Sequence, residues 1–250
     1  MASLQGQIAI VTGAASPIGA AIAERFHDEG ATLVLADVNE KGLAALSSRF
    51  PGSTIVTGDL SEEGTAKSLT ETALANHGRI DILVNNAGGG VIRPFLDHTP
   101  ETLRATVDRN LWTMLWCTWH MVPHMKAKGY GRIVNIGADS VRSGLWQHAG
   151  YNAAKGGVHA IVSGLAREFA KDGITANAVA PCIVETPNVT RMRGDGTTVG
   201  DAIDLMSSIV PIGRPATLAE VASVVRYLAS HEASFVTGQV ISVNGGSTMQ

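Results

Sequence analysis

The apolar residues follow two different periods in turn along the chain. Aliphatic runs such as QIAIVT at 7–12 and TLVLAD at 32–37 lack polar alternation, which is typical of strands buried on both faces. Between these runs Ile18, Ile22 and Phe26 recur at helical spacing, and Gly30 marks the end of the predicted helix. The pattern therefore predicts a strand, a helix and a second strand as the first unit.

The same alternation continues along the rest of the chain. It predicts strands at 7–12, 32–37, 53–59, 79–88, 131–137, 174–181 and 238–244. Helices are predicted at 17–30, 39–50, 62–77, 99–127, 151–171 and 217–229, whereas 182–210 is predicted to be irregular with at most short helices. Such alternation predicts an α/β fold, with one doubly wound parallel sheet and helices on both faces. No linker divides residues 1–250, so a single Rossmann-like domain is expected.

Composition and charge narrow the class of protein. Of the 250 residues, 45% are apolar and 28 are glycine, which fits a globular domain with many tight turns and not a disordered chain. The formal net charge is −3 without a basic run, so no nucleic acid or membrane is expected as a partner. Cys117 and Cys182 are too few for a disulfide scaffold, and no secretory signal or membrane span is recognisable. We therefore expect a cytoplasmic protein with reduced thiols.

The first predicted strand ends in a glycine-rich turn, TGAASPIG at 12–19. Between a strand and a helix, such a turn lets backbone N–H groups approach a pyrophosphate at the positive end of the helix. Asp37 ends the second strand, where a carboxylate accepts hydrogen bonds from the adenosine ribose and repels a 2′-phosphate. The two features together predict NAD as the cofactor in preference to NADP.

A second candidate site lies in the segment YNAAK at 151–155. The four-residue spacing places Tyr151 and Lys155 on one face of a helix, one turn apart. A nearby cation favours the phenolate and lowers the pKa of the phenol, as a proton-transfer group requires. The pair therefore predicts acid–base chemistry on this helix.

Taken in order, these segments and several others resemble the short-chain dehydrogenase/reductase family, in its classical NAD-dependent form. The resemblance covers nearly the whole chain and rests on Thr12–Gly19, Asp59-Leu60, Asn85-Asn86-Ala87-Gly88, Asn110, Tyr151 with Lys155, Pro181–Thr186, and TGQVISVNGG at 237–246. It implies a homotetramer that transfers hydride between NAD and a secondary alcohol or ketone. It also implies cofactor contacts from Gly13, Ser16, Ile18, Gly19, Asp37, Asp59, Leu60, Asn86, Ala87, Gly88, Tyr151, Lys155, Pro181, Val184 and Thr186.

The resemblance also divides the chemical work among a few side chains. It implies that Tyr151 exchanges the hydroxyl proton, that Lys155 lowers the pKa of the tyrosine and binds the nicotinamide ribose, and that Asn110 supports a water chain. In the family a serine thirteen residues before the tyrosine holds the substrate oxygen, but this position is Ala138. Three explanations stay open. Ser140 substitutes, since two residues along a strand return to the same face, or a serine was deliberately replaced, or the chain is a poor catalyst by nature.

Two further departures from the family lie in the cofactor loops. Pro17 stands where the family turn has glycine, but proline suits the first turn of a helix. We therefore expect the turn to survive, with the phosphate held by the N–H groups of Ile18 and its neighbours. Cys182 stands where the family has glycine after Pro181, and cysteine adopts positive φ at a higher cost. The resemblance leaves the path of this loop open.

The segments around the predicted site indicate how a substrate is held. Trp146 and His148 lie in the loop before Tyr151, where the indole either stacks on a ring-bearing substrate or packs on its own helix. Ala138 and Ile183 are assigned to the same substrate space. Residues 183–208 are predicted to form a mobile lid, because the segment is long, contains glycines and lacks a clear period.

Two other clusters are given no role in the chemistry. Trp112, Trp116 and Trp119 lie at helical spacing, which favours a core or a subunit interface over a ligand site. His120 and His124 are spaced like metal ligands, but a proline interrupts them and no acidic partner follows. No metal site is predicted.

The sequence leads to one main hypothesis and two alternatives. The main hypothesis is an NAD-dependent oxidoreductase of a ring-bearing secondary alcohol or ketone. Within the family, GRIVNIG-ADS and GQVISVNGGSTMQ are similar to dehydrogenases of cyclic hydroxy acids, their thioesters and aromatic-degradation diols. One alternative is a 3-oxoacyl-type reductase, which Asp37 disfavours because such reductases usually use NADPH. The other is a nucleotide-binding scaffold without turnover, suggested by Ala138 and Pro17 and opposed by the intact tyrosine–lysine pair.

Overall fold

Seven parallel strands form one sheet in the computed structural model, which describes residues 3–193 and 196–249. The order across the sheet is β3-β2-β1-β4-β5-β6-β7. The bounds are β1 (Ile8–Thr12), β2 (Thr32–Asp37), β3 (Thr54–Thr57), β4 (Ile82–Asn85), β5 (Gly131–Ile136), β6 (Ile174–Pro181) and β7 (Val240–Val243). The predicted doubly wound α/β sheet is confirmed, with a shorter β4 because the chain leaves the sheet at its glycine-rich loop.

Helices cover both faces of this sheet. In the described residues they are α1 (Pro17–Asp28), α2 (Glu40–Arg49), α3 (Glu63–His77), α4 (Pro100–Val107), α5 (Thr113–Lys128), α6 (Ser140–Ser143), α7 (Ala149–Phe169), α8 (Pro187–Met192), α9 (Thr198–Ser208) and α10 (Leu218–Ala229). α1, α2 and α10 pack on one face, and α3, α5 and α7 pack on the other. None of the helices in 3–193 and 196–249 is long and apolar enough to cross a membrane.

Successive side chains of each central strand enter opposite faces of the sheet. Ala9 and Val11 of β1 pack with α1 and α10, whereas Ile8 and Ile10 pack with α3 and α5. β1, β4, β5 and β6 are buried along their whole length. Burial on both faces explains why their sequences are unbroken aliphatic runs.

The direction of winding changes at β1, and this change positions the site. β1 is bonded to β2 on one side and to β4 on the other. The crossovers on the two sides diverge there and leave a crevice at the carboxyl ends of the strands. The loops that follow β1, β4, β5 and β6 meet at this edge, and they contain the predicted motifs.

Three segments differ from the sequence prediction. The helix predicted at 99–127 is divided, because Asp108–Trp112 forms a π-helical turn between α4 and α5. β5 ends at Ile136, so Ser140 begins the short helix α6 and does not continue a strand. In 182–210, predicted to contain only short helices, α9 has 11 residues and is capped by Thr197. The predicted lid at 183–208 is therefore partly helical, and its residues 194–195 lie outside the described chain.

Candidate active site

The glycine turn after β1 has the geometry of a phosphate-binding site. Gly13 adopts φ +61°, and a side chain on Gly19 would overlap the Gly13 carbonyl oxygen. Ser16 caps α1 by accepting from the Gly19 N–H at 3.1 Å, and Pro17 occupies the first helical turn. Ser16, Pro17 and Ile18 border the cavity, and the Ile18 N–H at the start of α1 is available to a phosphate, whereas the Gly19 N–H is bonded to Ser16. The expectation that the turn survives Pro17 is confirmed.

Asn86 ties this turn to the loop after β4. Its side-chain amide donates to the carbonyl oxygens of Thr12 at 3.0 Å and Gly13 at 2.9 Å, and to Ser16 Oγ at 3.1 Å. Thr12 Oγ1 accepts in return from the backbone N–H groups of Asn86 and Ala87, both at 3.0 Å. The predicted cofactor residues of the two loops thus form one hydrogen-bonded network, which holds the turn in shape without a ligand.

Two carboxylates lie at the end of the crevice where an adenosine would bind. Asp37 accepts a hydrogen bond from the Ala15 N–H at 2.9 Å, which orients its carboxylate beside the glycine turn. Asp59 is exposed, and the neighbouring Leu60 is buried. The residues that the chain provides therefore fit a dinucleotide, with acceptors for its ribose and an open helix start for its phosphates.

Tyr151 and Lys155 lie one turn apart on α7, as predicted. Lys155 is buried, and its Nζ lies 5.9 Å from the centroid of the Tyr151 ring and 2.7 Å from the Ile136 carbonyl oxygen. Burial raises the pKa of Tyr151 to about 12 and lowers the pKa of Lys155 to about 8. Burial dominates the pKa of the phenol in this structure, and the expectation that the lysine lowers that pKa stays a prediction.

The π-helical turn brings Asn110 to the same end of the crevice. Its side-chain amide donates to the carbonyl oxygens of Gly89 and Thr106, both at 2.8 Å, and its Oδ1 accepts from the Gly89 N–H at 3.2 Å. A side chain on Gly88 would lie 2.7 Å from Asn110 Oδ1 and 3.3 Å from Lys155 Nζ. Asn110 thus holds the β4 loop beside Lys155, and such π-helical insertions are frequent at functional sites.

Ala138 brings a methyl group to the cavity wall where the family has a hydroxyl. Its side chain is buried, and its backbone N–H donates to His159 Nε2 at 3.2 Å. Burial, with smaller effects from the charges of Arg142 and Lys155, lowers the pKa of His159 to about 4. The imidazole is therefore neutral near pH 7, and its Nε2 lone pair is occupied by the Ala138 N–H.

Ser140 also lines the cavity, but it is not placed there by a strand. Its hydroxyl donates to Asn152 Oδ1 at 2.6 Å, and the residue is 6% exposed. The argument that Ser140 shares a strand face with Ala138 is wrong, because β5 ends before both residues. Asn152 directly follows Tyr151 on α7, and its bond to Ser140 had no signal in the sequence.

The crevice forms a cavity of about 510 Å³, a volume typical of small-molecule sites. It extends from the start of α1 past Lys155 and Tyr151. Apolar side chains form much of the remaining wall, and they come from four different segments: Ile92, Leu145, Ile183, Met206, Ile209 and Val210. The arrangement combines a dinucleotide cradle, a buried proton-transfer pair and an apolar space.

The loop before α7 separates the two residues that were predicted to touch a substrate. His148 lines the cavity, with its Nδ1 2.7 Å from the Trp146 carbonyl oxygen and its ring edge-on to Tyr151 at 6.0 Å between centroids. Trp146 is 84% exposed and is not among the residues that line the cavity in the described chain. Gln147 between them adopts φ 63°, an uncommon conformation for a residue with a side chain. The structure therefore brings His148, but not Trp146, to the cavity wall, and the contact of either residue with a substrate stays a prediction.

The loop after β6 brings three of the predicted cofactor residues to the cavity. Pro181, Val184 and Thr186 all line it, and the Thr186 hydroxyl caps α8 by accepting from the Val189 N–H at 3.3 Å. Cys182 keeps negative φ, since Gln147 alone has positive φ among the non-glycine residues described. The cysteine is accommodated in an ordinary backbone conformation, which settles the path of this loop.

Asp139 is a buried carboxylate that sequence reasoning missed. It accepts hydrogen bonds from Asn244 Nδ2 at 2.8 Å, Ser247 Oγ at 2.5 Å and Thr248 Oγ1 at 3.0 Å. Ser247 also lines the cavity. These bonds fix the C-terminal segment against the loop after β5. The sequence did contain a signal for Asp139, because this acidic residue lies between the candidate site residues Ala138 and Ser140.

The tryptophans of α5 and the preceding turn lie partly or largely on the surface. Trp112 and Trp116 stack at 5.0 Å between centroids, and Trp119 is 64% exposed. The core alternative is therefore confirmed in part for Trp116, which packs against the sheet's core, and wrong for the exposed Trp112 and Trp119, for which the interface stays a prediction. His120 Nε2 lies 2.6 Å from Glu63 Oε1, and the described residues contain no group of three potential metal ligands.

Comparison with known proteins shows relatives that match nearly the whole chain. A family model described as Enoyl-(Acyl carrier protein) reductase matches residues 13–248. The 2,3-dihydroxy-2,3-dihydro-p-cumate dehydrogenase of Pseudomonas putida is 53% identical, over 98% of this chain and 96% of that protein. The 3-oxoacyl-[acyl-carrier-protein] reductase of Escherichia coli is 34% identical over 99% of each chain. The crystal structure of levodione reductase has a TM-score of 0.91 at 28% identity, covering 97% of this chain and 98% of that one.

The similarity extends over the same residues that form the site. One cavity contains the glycine turn, the loop after β4 and the buried tyrosine–lysine pair, and the family model spans nearly the whole chain. The protein is an oxidoreductase that moves hydride between a nicotinamide cofactor and a CH–OH group of a small molecule. The chain belongs to the short-chain dehydrogenase/reductase family.

Proposed function

We propose that this protein is an NAD-dependent dehydrogenase of vicinal diols on a carbon ring. The observation that carries the proposal is the position of Tyr151 and Lys155 in the cavity that begins at the glycine turn. The apolar part of the cavity suits a hydrocarbon ring. The p-cumate dihydrodiol dehydrogenase is 53% identical, against 34% for the 3-oxoacyl reductase, which favours the diol over the acyl substrate.

The residues of the chain then divide binding from proton transfer. Bound NAD would supply the acceptor for the hydride that leaves the carbon bearing the reacting hydroxyl. The Tyr151 phenolate takes the proton of that hydroxyl, so that the O–H bond breaks as the carbonyl forms. Lys155 stays largely protonated near neutral pH because its pKa is about 8, and it keeps a cation beside the phenol. Asn86 and Asn110 hold the two loops between which the reactants meet.

NAD is expected to be preferred over NADP by at least about tenfold in kcat/KM, because an unpaired carboxylate facing a phosphate costs over about 1.4 kcal/mol. Asp37 ends β2 beside the glycine turn, and no basic residue follows it before Lys41. The variant Asp37→Ala should reduce the preference for NAD over NADP in kcat/KM. The measurement is kcat/KM with each cofactor at fixed substrate.

Asp59→Asn is the matched control, since this exposed carboxylate lies on the adenine side and should not distinguish the two cofactors. Equal kcat/KM with NAD and NADP in the unmodified protein would contradict the assignment of Asp37.

The test of the substrate class is NADH formation from the cis-dihydrodiols of benzene and p-cumate. We expect turnover with both diols, and slower turnover with a 3-hydroxyacyl thioester. NADH formation from the thioester alone would favour the 3-oxoacyl-type alternative. No NADH formation from any secondary alcohol, despite tight NADH binding, would contradict the proposed function as a whole.

Residues 183–193 and 196–208 are expected to close over substrate and nicotinamide. Arg193 pairs with Glu185 and Asp204 at 3.2 Å each, so α8 and α9 are joined, and Met206 brings α9 to the cavity wall. Hydrogen–deuterium exchange in α8 and α9 should therefore slow when NADH and a substrate analogue are added together. The amides of β1 are the internal control. Exchange that is already slow without ligand, and unchanged by it, would rule out a lid.

We further propose a homotetramer in the cytoplasm. The aromatic surface formed by Trp112 and Trp119 is the feature that supports self-association, since exposed aromatic side chains are enriched at interfaces. Sedimentation of the protein and of a Trp119→Glu variant tests the oligomeric state.

A further inference from the structure

Residues 138–140 form a part of the cavity wall that offers few free hydrogen-bond donors. A wall that stabilises an alkoxide would need such donors. A developing negative charge requires donors, but Ala138 has no side-chain donor and its N–H is bound to His159. The Asp139 N–H donates to the Pro181 carbonyl oxygen at 2.9 Å. The Ser140 hydroxyl proton is directed to Asn152. The donors that this wall could offer to an alkoxide are therefore absent or engaged within the protein.

The bond to Asn152 leaves Ser140 as an acceptor. A hydroxyl has one proton and two lone pairs, so an oxygen that donates its proton to an amide carbonyl can only accept from a further partner. Ser140 Oγ and Asn152 Oδ1 are 2.6 Å apart, which is short for this type of bond. Since Asn152 adjoins Tyr151 on α7, the acceptor is held in a fixed relation to the proton-transfer residue.

We infer that Ser140 Oγ, oriented by Asn152, accepts a hydrogen bond from the second, non-reacting hydroxyl of a vicinal diol. This inference rests on the proposed function and explains how that site selects its substrate. A diol presents a donor to Ser140 while its other hydroxyl meets Tyr151. A single-hydroxyl alcohol leaves the Ser140 lone pairs unpaired in a buried site, and a ketone at that position opposes them with its own lone pairs. Ser140 is therefore a specificity-determining residue, and Asn152 is its positioning residue.

The test compares kcat and KM for benzene cis-dihydrodiol with those for cyclohexenol, a ring of similar size with one hydroxyl. Ser140→Ala should raise KM for the diol by about tenfold and leave cyclohexenol nearly unchanged, so that the preference for diols falls by about tenfold. Asn152→Ala should also reduce this preference, because the Ser140 hydroxyl regains its proton for donation.

The variant Asn152→Asp tests whether residue 152 acts by orienting the Ser140 hydroxyl or only by supporting the local structure. A carboxylate only accepts, so Ser140 must still donate to it, and the preference for diols should be retained. Ser163→Ala on the exposed side of α7 is the control for a lost serine hydroxyl. Thermal unfolding and NADH binding measured on every variant show whether each is folded.

The outcomes separate this inference from the proposed function. Equal losses on the diol and on cyclohexenol in Ser140→Ala would mean that Ser140 acts on the reacting oxygen, and the inference would be wrong while the diol dehydrogenase stands. Loss of the diol preference in Asn152→Asp as well would also overturn the acceptor role. If the unmodified protein oxidises neither compound but binds NADH, the proposed function fails first.

Discussion

Tyr151→Phe is expected to lower kcat for diol oxidation by about 10²–10⁴, the usual contribution of a positioned proton-transfer group. The change removes only the phenol oxygen. The ring is seated against Gly90, where an added side chain would lie 2.5 Å from Tyr151 Cδ2, so phenylalanine keeps the packing. NADH affinity should change far less than kcat, because the turn after β1 and the loop after β4 stay intact. Steady-state kinetics and NADH fluorescence titration measure the two quantities.

The pH dependence gives this prediction a second readout. The pKa of Tyr151 is raised to about 12 in the ligand-free chain, and kcat/KM reports the ionisation of the free enzyme. A base must be deprotonated to accept a proton, so kcat/KM for oxidation should rise with pH from neutral into the alkaline range, towards the Tyr151 pKa of about 12. This rise should vanish in Tyr151→Phe. A variant that keeps both its rate and its pH dependence would show that another group takes the proton.

The sequence predicted the geometry of the glycine turn in detail because that part of the candidate site is local. The glycine turn, its helix cap and Asp37 lie within one strand–helix–strand unit, where the backbone needs only a positive φ at Gly13 and close packing at Gly19. The effect of Pro17 was also predictable, because N–H groups in the first turn of a helix have no partner within the helix, and proline loses no hydrogen bond there. Such requirements can be read from single residues and their spacing.

The substrate half could not be predicted in the same way, because its contacts join distant segments. Asp139 is held by hydrogen bonds from the side chains of Asn244 and Ser247, about a hundred positions away. The Ser140 hydroxyl is oriented by its hydrogen bond to Asn152 on another helix. The period-two argument for Ser140 failed because the end of β5 depends on where the sheet ends and not on local propensity. Trp146 is exposed, and the neighbouring Gln147 adopts a positive φ that its residue type does not predict.

Ala138→Ser is expected to raise kcat on both benzene cis-dihydrodiol and cyclohexenol, by roughly 10². A hydroxyl at this buried, cavity-lining position supplies the donor that the developing alkoxide lacks. His159 is neutral and its Nε2 already accepts from the Ala138 N–H, so the new hydroxyl is free to donate into the cavity. Because the added donor acts on the reacting oxygen, the gain should not depend on a second hydroxyl, in contrast to the effect of Ser140→Ala.

Ala138→Cys is the matched control, since a thiol is of similar size but donates weakly, and it should give no comparable gain. Measuring Ala138→Ser and Ser140→Ala on both compounds also decides between the explanations for the alanine at position 138. A large gain in Ala138→Ser, with Ser140→Ala affecting only KM for the diol, means that position 138 is the place for the alkoxide donor and that this chain works without one. If Ser140→Ala instead abolishes turnover on both compounds and Ala138→Ser gains little, then Ser140 has taken over the donor role, and its proton must leave Asn152 when substrate binds.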